Sequence, residues 1–513
     1  MKYLLIGVIA SVFISCTATQ QTVKTSTVQD DGKIDITFLQ LNDVYEIAPL
    51  EGGKVGGMAR VEYVHQELLK ENKNTYMFMA GDFLNPSLLG TVKYNGERIR
   101  GRQMVEIMNA MNFDLVTFGN HEFDLKMKDL QKRLNESNFN WTSANARQKV
   151  CKKATYPFYK ERNGIKEFIP DTYILEAKDA DGTTVKIGFF SVVIPSNPQN
   201  FVVYKDIFTE ATRAYNALKD KVDIIIGLTH VAVEQDKKIA QMLRDVPLIM
   251  GGHEHTNMLV TVGNTKIAKA DANAKTVYIH RLHYDKPTKT LQLTSELKSI
   301  SDKTNSDTKV AAIVSKWNGV LNNQIKQIID DPNGIIYTTD VPLDGRDIPI
   351  RSKQTNLGKL VAKAMAFGFQ NKVDCALVNG GSIRLDDQLE GDINSIDIFR
   401  VLPFGGSIVK VQLKGSLLTE VLDYGESKAG KGAYLQRYNA DFDTATQQWK
   451  VDGKPIDSEK IYTVAFSDYL LKGYDIPFLK PDNKDVVNVY YPAKDEMGYD
   501  IRKAIISYLK QLP

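Results

Sequence analysis

The sequence predicts an α/β protein built as two domains. Three observations carry this reading. Apolar runs of strand length alternate with amphipathic helical segments from residue 34 to about 300. A polar, then helical, stretch at 301–331 interrupts the alternation, and a second α/β segment fills 332–513. The chain has 513 residues, enough for more than one core at roughly 100–200 residues per domain. Its 65 basic and 62 acidic residues leave a formal charge of +3, which gives no reason to expect nucleic acid.

At the N-terminus, Lys2 precedes the apolar run YLLIGVIASVFISC, residues 3–16. That run is too short for a bilayer span of about 20 residues. A positive end, an apolar middle and a small residue at the cut give it the layout of a secretory signal, 1–16. Ser15-Cys16 resembles a bacterial lipobox, with Phe13 and Ile14 departing from the usual residues; ordinary cleavage nearby is the alternative. Residues 17–33, rich in Thr, Gln, Lys and Asp, read as a flexible tether. An exported protein of the cell envelope is expected, periplasmic or an outer-membrane lipoprotein, touching membrane only through lipid on Cys16. Cys151 and Cys375 are expected to be unpaired, being so far apart in sequence.

From residue 34 the runs IDITFLQL, TYMFMA, FDLVTF, VKIGFFSVV, DIIIGL and VPLIM are apolar at nearly every position. This suits strands of a largely central, mixed or parallel sheet covered on both faces. Between them, MARVEYVHQELLKEN places Met58, Val61, Val64 and Leu68 on one helical stripe. The stretch 301–331 reads as a linking helix, and Pro332-Asn333-Gly334 as the turn after it.

The chemistry sits where the apolar runs end. LQLND ends in Asp43, MFMAGD in Asp82, LVTFGNHEFD in Asn120, His121 and Asp124, IIIGLTH in His230, and LIMGGHEH in His253 and His255. Ligands of open α/β sheets bind beyond the carboxyl ends of strands. A lone Asp after a strand is usually a cap or a turn residue. Here, however, four of the chain's seven histidines fall in these endings. His65, His280 and His283 are read as structural or surface residues.

The ordered set GD, GNHE, GLTH and GHEH resembles the calcineurin-like metallophosphoesterases. LNDVYEI, SAN at 143–145 and the second half narrow the resemblance to the bacterial and animal 5'-nucleotidase family. The resemblance implies a four-layer α/β/β/α sandwich over 34–300 and a C-terminal α/β nucleotide-binding domain over 332–513. It also implies two divalent metals, Zn, Mn or similar. Asp82 would bridge them, with Asp43 and His255 on the first and Asn120, His230 and His253 on the second. His121 would stabilise transition-state charge or assist the leaving group. Asp124 would orient it, and could equally serve as a helix-start carboxylate.

In the second half, RSKQTNLGKLVAKAM (351–365) and LVNGGSIR (377–384) resemble the family's substrate motifs, with Gln354 where Glu is usual. By that resemblance Arg351 and Arg384 bind phosphate, and Asn379, Gly380 and Gly381 shape the loop. Phe404 and Tyr469 take the two base-stacking positions and Asp475 the sugar-binding one. Tyr474 replaces a glycine of the family's GGD and is expected to reshape the sugar pocket. The implied activity is phosphate release from nucleoside 5'-phosphates. Hydrolysis of 2',3'-cyclic nucleotides or UDP-sugars at the same site is the alternative, and a nucleotide-binding protein with weakened catalysis is a third reading. Tyr45 stands where the family has a ligating histidine. A tyrosinate ligand, a hydrogen bond to a metal-bound water and no contact all remain open. Base preference and oligomeric state are not legible.

Overall fold

The computed structural model describes residues 30–151, 154–196 and 199–513. The signal and lipobox readings therefore lie outside the described residues, as does the Cys151 side chain. Cys375 is buried and free.

Twelve strands build the first domain's two large sheets: β1 (Lys33–Leu41), β2 (Thr75–Met79), β3 (Leu115–Thr117), β4 (Asn140–Thr142), β5 (Thr172–Lys178), β6 (Thr184–Phe190), β7 (Ile224–Thr229), β8 (Leu248–Gly251), β9 (Met258–Val262), β10 (Thr265–Lys269), β11 (Thr276–Asp285) and β12 (Thr290–Ser299). The largely central sheet read from the apolar runs is two six-stranded sheets, ordered β12-β11-β1-β2-β3-β4 and β5-β6-β7-β8-β10-β9, as the α/β/β/α sandwich implied by the family resemblance requires. Both are mixed. β1 to β4 run parallel in the first sheet, and β6, β7, β8 and β10 run parallel in the second. Nearly continuous apolar runs cannot tell one sheet covered by helices from two sheets covering each other, because both bury both strand faces.

The alternation of side chains along β1 explains the layering. Ile36 and Phe38 point into an inter-sheet core with Phe78, Phe189, Ile226 and Met250. There the Phe38 and Phe78 ring centroids lie 4.8 Å apart, and those of Phe78 and Phe189 5.1 Å apart. Leu39 and Leu41 point the other way, into a core shared with the helices Met58–Glu71, Arg102–Ala110 and Met127–Glu136. The second sheet's outer face packs Ile225, Ile249 and Ile267 against the helices Ile207–Leu218 and Val233–Met242. The layers run α/β/β/α.

The linking helix spans Thr308–Ile325, with Asp307 accepting the Val310 amide at 2.8 Å as its N-cap. It is fastened to the first domain: Trp317 is buried and donates to Glu106 at 3.2 Å, and Lys316 pairs with Glu106 at 2.8 Å. The second domain holds a five-stranded sheet of β13 (Cys375–Asn379), β14 (Ile408–Lys414), β15 (Leu435–Tyr438), β16 (Ile461–Ser467) and β17 (Val486–Tyr490), in the order β15-β13-β16-β14-β17. The helix Gly415–Glu426 covers one face, and the helices Asn356–Phe367 and Ile501–Leu509 cover the other.

His280 is a core histidine. It is fully buried on β11, with Nδ1 2.9 Å from Ser295 Oγ and Nε2 2.9 Å from Gln40 Oε1. Burial pushes its pKa down to about 3, with nearby Lys266 acting in the same direction. Below pH 6.5 the unfolded chain takes up a proton that the folded chain refuses. The contribution of His280 to stability should therefore fall with acidification below pH 6.5, by about 1.4 kcal/mol per pH unit. In denaturant titrations between pH 5 and 6.5, the slopes of wild type and His280→Gln should differ by this amount; parallel slopes would count against it.

Candidate metal centre

The parallel strands of each sheet end at the same edge, and the two edges meet. Asp43 follows β1 and Asp82 follows β2. Asn120 and His121 follow β3. His230 follows β7, and His253 and His255 follow β8. Hydrogen bonds stitch the edges together: the His253 amide donates to Asp43 Oδ2 at 2.8 Å, and His230 Nδ1 donates to the Ala80 carbonyl at 2.8 Å. With its Nδ1 proton so placed, His230 presents Nε2 inward, 3.0 Å from Asp82 Oδ2 and 3.2 Å from Asn120 Oδ1.

Asp43, Asp82, His253 and His255 all adopt positive φ, at 54°, 55°, 93° and 60°. Such backbone strain concentrates at functional sites. Gly81 makes the crossing feasible, since a Cβ there would stand 2.5 Å from the Gly119 amide and 2.7 Å from His230 Nδ1.

Asp43, Asp82 and His230 are buried, and one donor atom from each lies within 4.8 Å of the others. Asp43 Oδ1 and Asp82 Oδ2 have no hydrogen-bond partner although no solvent reaches them. Two orphaned carboxylate oxygens beside imidazole nitrogens form a donor set suited to a divalent cation. Burial opposes the Asp43 charge, yet His230 and His255 hold its carboxyl below the usual carboxylate range. Burial, joined by His230, pushes His253 down to about 4, which leaves a neutral ring. His255 Nε2 lies 3.3 Å from Asp43 Oδ1.

His121 and Asp124 close one turn of 3₁₀ helix, with Nδ1 and Oδ2 2.7 Å apart. Burial works against charging His121, but Asp82, Asp124 and Asp386 raise it well above its ordinary value. The Tyr45 hydroxyl lies 2.9 Å from His255 Nε2 and 3.4 Å from Asp386 Oδ2. Burial, then Asp82 and Asp386, push its pKa well above 10. Tyr45 thus touches the ring of His255, which in turn lies against Asp43.

Four residues that the motif reading passed over also shape this site. Asn42 donates to Asp43 Oδ2 at 2.8 Å. Glu122, inside GNHE, accepts the amides of Asp82, Phe83, Leu84 and Gly119 at 2.6–3.0 Å. Lys269 is buried beneath the His230 and His253 loops. Asp386 crosses from the second domain, its Oδ2 3.1 Å from His121 Nε2. The sequence offered signals for two of these: a lysine within an apolar strand, and an acid two residues beyond Arg384.

In the second domain, Arg351, Asn379, Gly381, Arg384, Phe404, Tyr469 and Asp475 line one cavity of about 650 Å³. Gly380 lies behind its wall, buried against the Ile350 carbonyl. Phe404 is 62 % and Tyr469 39 % exposed, so both rings present free faces. Asp475 accepts from Asn379 at 2.6 Å and from the Tyr469 hydroxyl at 3.3 Å. The left-handed residue of the Gly473-Tyr474-Asp475 turn is Gly473, so Tyr474 carries no backbone strain; its ring lies 5.3 Å from that of Tyr469. Arg384 reaches out of the cavity to Asp124 at 3.3 Å, while Arg351 pairs with Asp347 at 2.6 Å. Gln354 bonds to backbone at both ends of its amide, donating to Leu435 O and accepting from the Arg437 amide.

Two family profiles match the chain: calcineurin-like phosphoesterase over residues 36–257, and 5'-nucleotidase, C-terminal domain, over 335–480. The chain belongs to the two-domain 5'-nucleotidase family. Members of this family are metal-dependent hydrolases of phosphoric esters. The human 5'-nucleotidase is 27% identical over 451 residues, covering 79% of this chain and 74% of its own. The trifunctional nucleotide phosphoesterase protein YfkN of Bacillus subtilis is 27% identical over 441 residues, covering 79% of this chain and 29% of its own. Among solved structures, a 5'-nucleotidase precursor from Thermus thermophilus superimposes with a TM-score of 0.65 at 22% identity, covering 93% of this chain and 96% of that one. That likeness establishes a shared two-domain fold.

Proposed function

We propose that this chain releases phosphate from nucleoside 5'-phosphates, using two divalent metal ions and the His121–Asp124 pair. The observation that carries this reading is the path of Arg384. It lines the cavity that holds Phe404, Tyr469 and Asp475, and it touches Asp124 of the pair. A base stacked between the two rings would therefore be tethered to a phosphate lying near His121.

Asp43 and His255 would hold one ion, Asn120, His230 and His253 the second, and Asp82 would serve both. Such ions supply Lewis-acid polarisation of phosphate and a lowered water pKa. The protein's own groups do the rest. Asp124 accepts the Nδ1–H of His121 and, with Asp82, favours the doubly protonated ring, whose Nε2–H is then free to donate to the reacting phosphate. Arg384 and Arg351 bind phosphate oxygens as planar forks, Phe404 and Tyr469 stack the base, and Asp475 accepts from the ribose hydroxyls.

In the present arrangement Asp386 holds His121 Nε2, and Arg384 and Arg351 are paired with carboxylates. Substrate must displace these partners, and because the Asp386–His121 and Arg384–Asp124 contacts cross between the domains, their release calls for movement of the second domain. The helix Thr308–Ile325 is fastened to the first domain through Glu106, so the turning point belongs after Ile325, not within the helix. Export to the cell envelope with lipid on Cys16 forms part of the proposal and rests on the N-terminal sequence. Among the described residues no helix is long and apolar enough to cross a membrane.

The test is phosphate release from a panel of 5'-mononucleotides, 2',3'-cyclic nucleotides and a UDP-sugar, with and without chelator. The 5'-mononucleotides should give the highest kcat/KM, and chelator should abolish release. Phe404→Ala should raise KM about 10-fold, the scale of one lost base–aromatic stack. Chelator-insensitive release, or a preference for cyclic substrates, would overturn the reading.

A further inference from the structure

We infer that Lys269 is a positioning residue for the second metal ion, its ammonium tying the loop that carries His230 to the loop that carries His253. The inference rests on the two-metal reading above and adds to it a group that no ligand motif contains.

Lys269 is the last residue of β10 and is fully buried. Its Nζ donates to the Val231 carbonyl at 2.6 Å and to the Gly252 carbonyl at 2.8 Å. Val231 follows His230, and Gly252 precedes His253. The same ammonium pairs with Asp236 at 2.9 Å and with the Glu254 carboxylate. Each anion fastens the assembly further. Asp236 accepts from the Thr229 hydroxyl at 2.7 Å, one residue before His230. Glu254, one residue after His253, accepts the Val233 amide at the start of the helix Val233–Met242. One nitrogen thus holds four oxygens drawn from both loops and from the helix beyond them. Gly251 leaves room for the stem, since a Cβ there would stand 2.9 Å from Lys269 Cε.

A purely stabilising role explains this arrangement poorly. Burying an ammonium with carboxylates recovers little net stability compared with an apolar packing of the same volume. What the knot does is fix where two backbone segments lie relative to each other. His230 and His253 project from those segments, their ring centroids 5.4 Å apart. His255 lies two residues further along and also answers to Tyr45 and Asp43 of the first sheet, so it is less dependent on Lys269. Groups that orient ligands without touching the ion typically matter about 10–100-fold in affinity.

The experiment is calorimetric titration of the metal-stripped full chain with Mn²⁺. Wild type, Lys269→Met and Glu254→Gln are compared, with the apoprotein's thermal midpoint recorded for each. The expected result is two sites in the wild type. One of them should be weakened about 10–100-fold in Lys269→Met and less in Glu254→Gln, with the other kept close to wild type. Should Lys269→Met not fold, Glu254→Gln decides alone, because its side chain is only partly buried. Unchanged affinities at both sites, or equal weakening of both in step with the thermal midpoint, would overturn the role of Lys269 and leave the two-metal reading standing. A wild type that binds fewer than two ions would overturn both.

Discussion

His121→Ala is expected to lower kcat by about 10²–10⁴-fold, the usual contribution of a positioned acid or base, while both metal sites keep their ions. The reasoning is geometric. Asp124 occupies Nδ1 at 2.7 Å, so the ring faces the metal cluster through Nε2 alone. Among the other histidines of the site, His230 Nε2 lies among Asp82 and Asn120, His255 Nε2 lies among Asp43 and Tyr45, and burial with His230 holds His253 neutral, so it carries no spare proton to give. His121 does not line the cavity of Phe404 and Tyr469, which should bind the base unchanged, so the loss should appear in kcat and leave KM within a few-fold. Asp124→Asn should show the same pattern more weakly, because an amide can still bond to the ring but cannot stabilise its charge. Steady-state kinetics with metal analysis on each variant provide the check. Turnover that survives in His121→Ala, or a loss explained by missing metal, would remove this role.

The gathering of the strand-end residues was legible because each lies at a break between an apolar run and a turn, and the topology needs only that parallel strands end on one edge. Asp43, Asp82, Asn120, His230 and His253 are all of this kind. The two-sheet layering was not legible from run composition, since Ile225 on an outer face and Ile226 on an inner one look alike in sequence. Tyr45 shows a different limit. Its position in the motif marked it as a would-be ligand, but what a phenol does there depends on its neighbours. Those are His255, 210 residues away, and Asp386, 341 residues away. Lys269 and Asp386 were missed although each left a trace in the sequence, because a buried lysine or an acid near an arginine does not say which loops supply its partners. The substrate cavity falls between these cases. Its residues sit in compact motifs, yet the contact of Arg384 with Asp124 belongs to the meeting of two domains.

Glu122→Ala should be the most destabilising single change at the site, by about 3–5 kcal/mol. The Glu122 carboxylate is fully buried and takes four backbone amides, two on Oε1 from Phe83 and Leu84 and two on Oε2 from Asp82 and Gly119. Leaving a buried donor unpaired costs about 1–3 kcal/mol, and bonds to a charged acceptor lie at the upper end. Water entering the vacated space would return part of that, which is why the expected total stays below a simple sum. The four amides belong to the turns that hold Asp82 at positive φ and bring Gly119 against it. Glu122 is thus the acceptor around which the Asp82 turn is wound. Glu122→Gln retains the volume and one acceptor oxygen but faces two amide donors with an NH₂ group, so it should recover part of the loss and no more. Urea unfolding of the metal-free proteins isolates this effect from cation binding, since the hydrogen bonds exist without any ion. A Glu122→Ala midpoint that places stability within about 1 kcal/mol of wild type would mean that the turn is held by packing against Phe118 and Phe123 instead. In the folded fraction, Glu122→Ala should also lose metal affinity at both sites together, because Asp82 is the one carboxylate that the two-metal reading places between them.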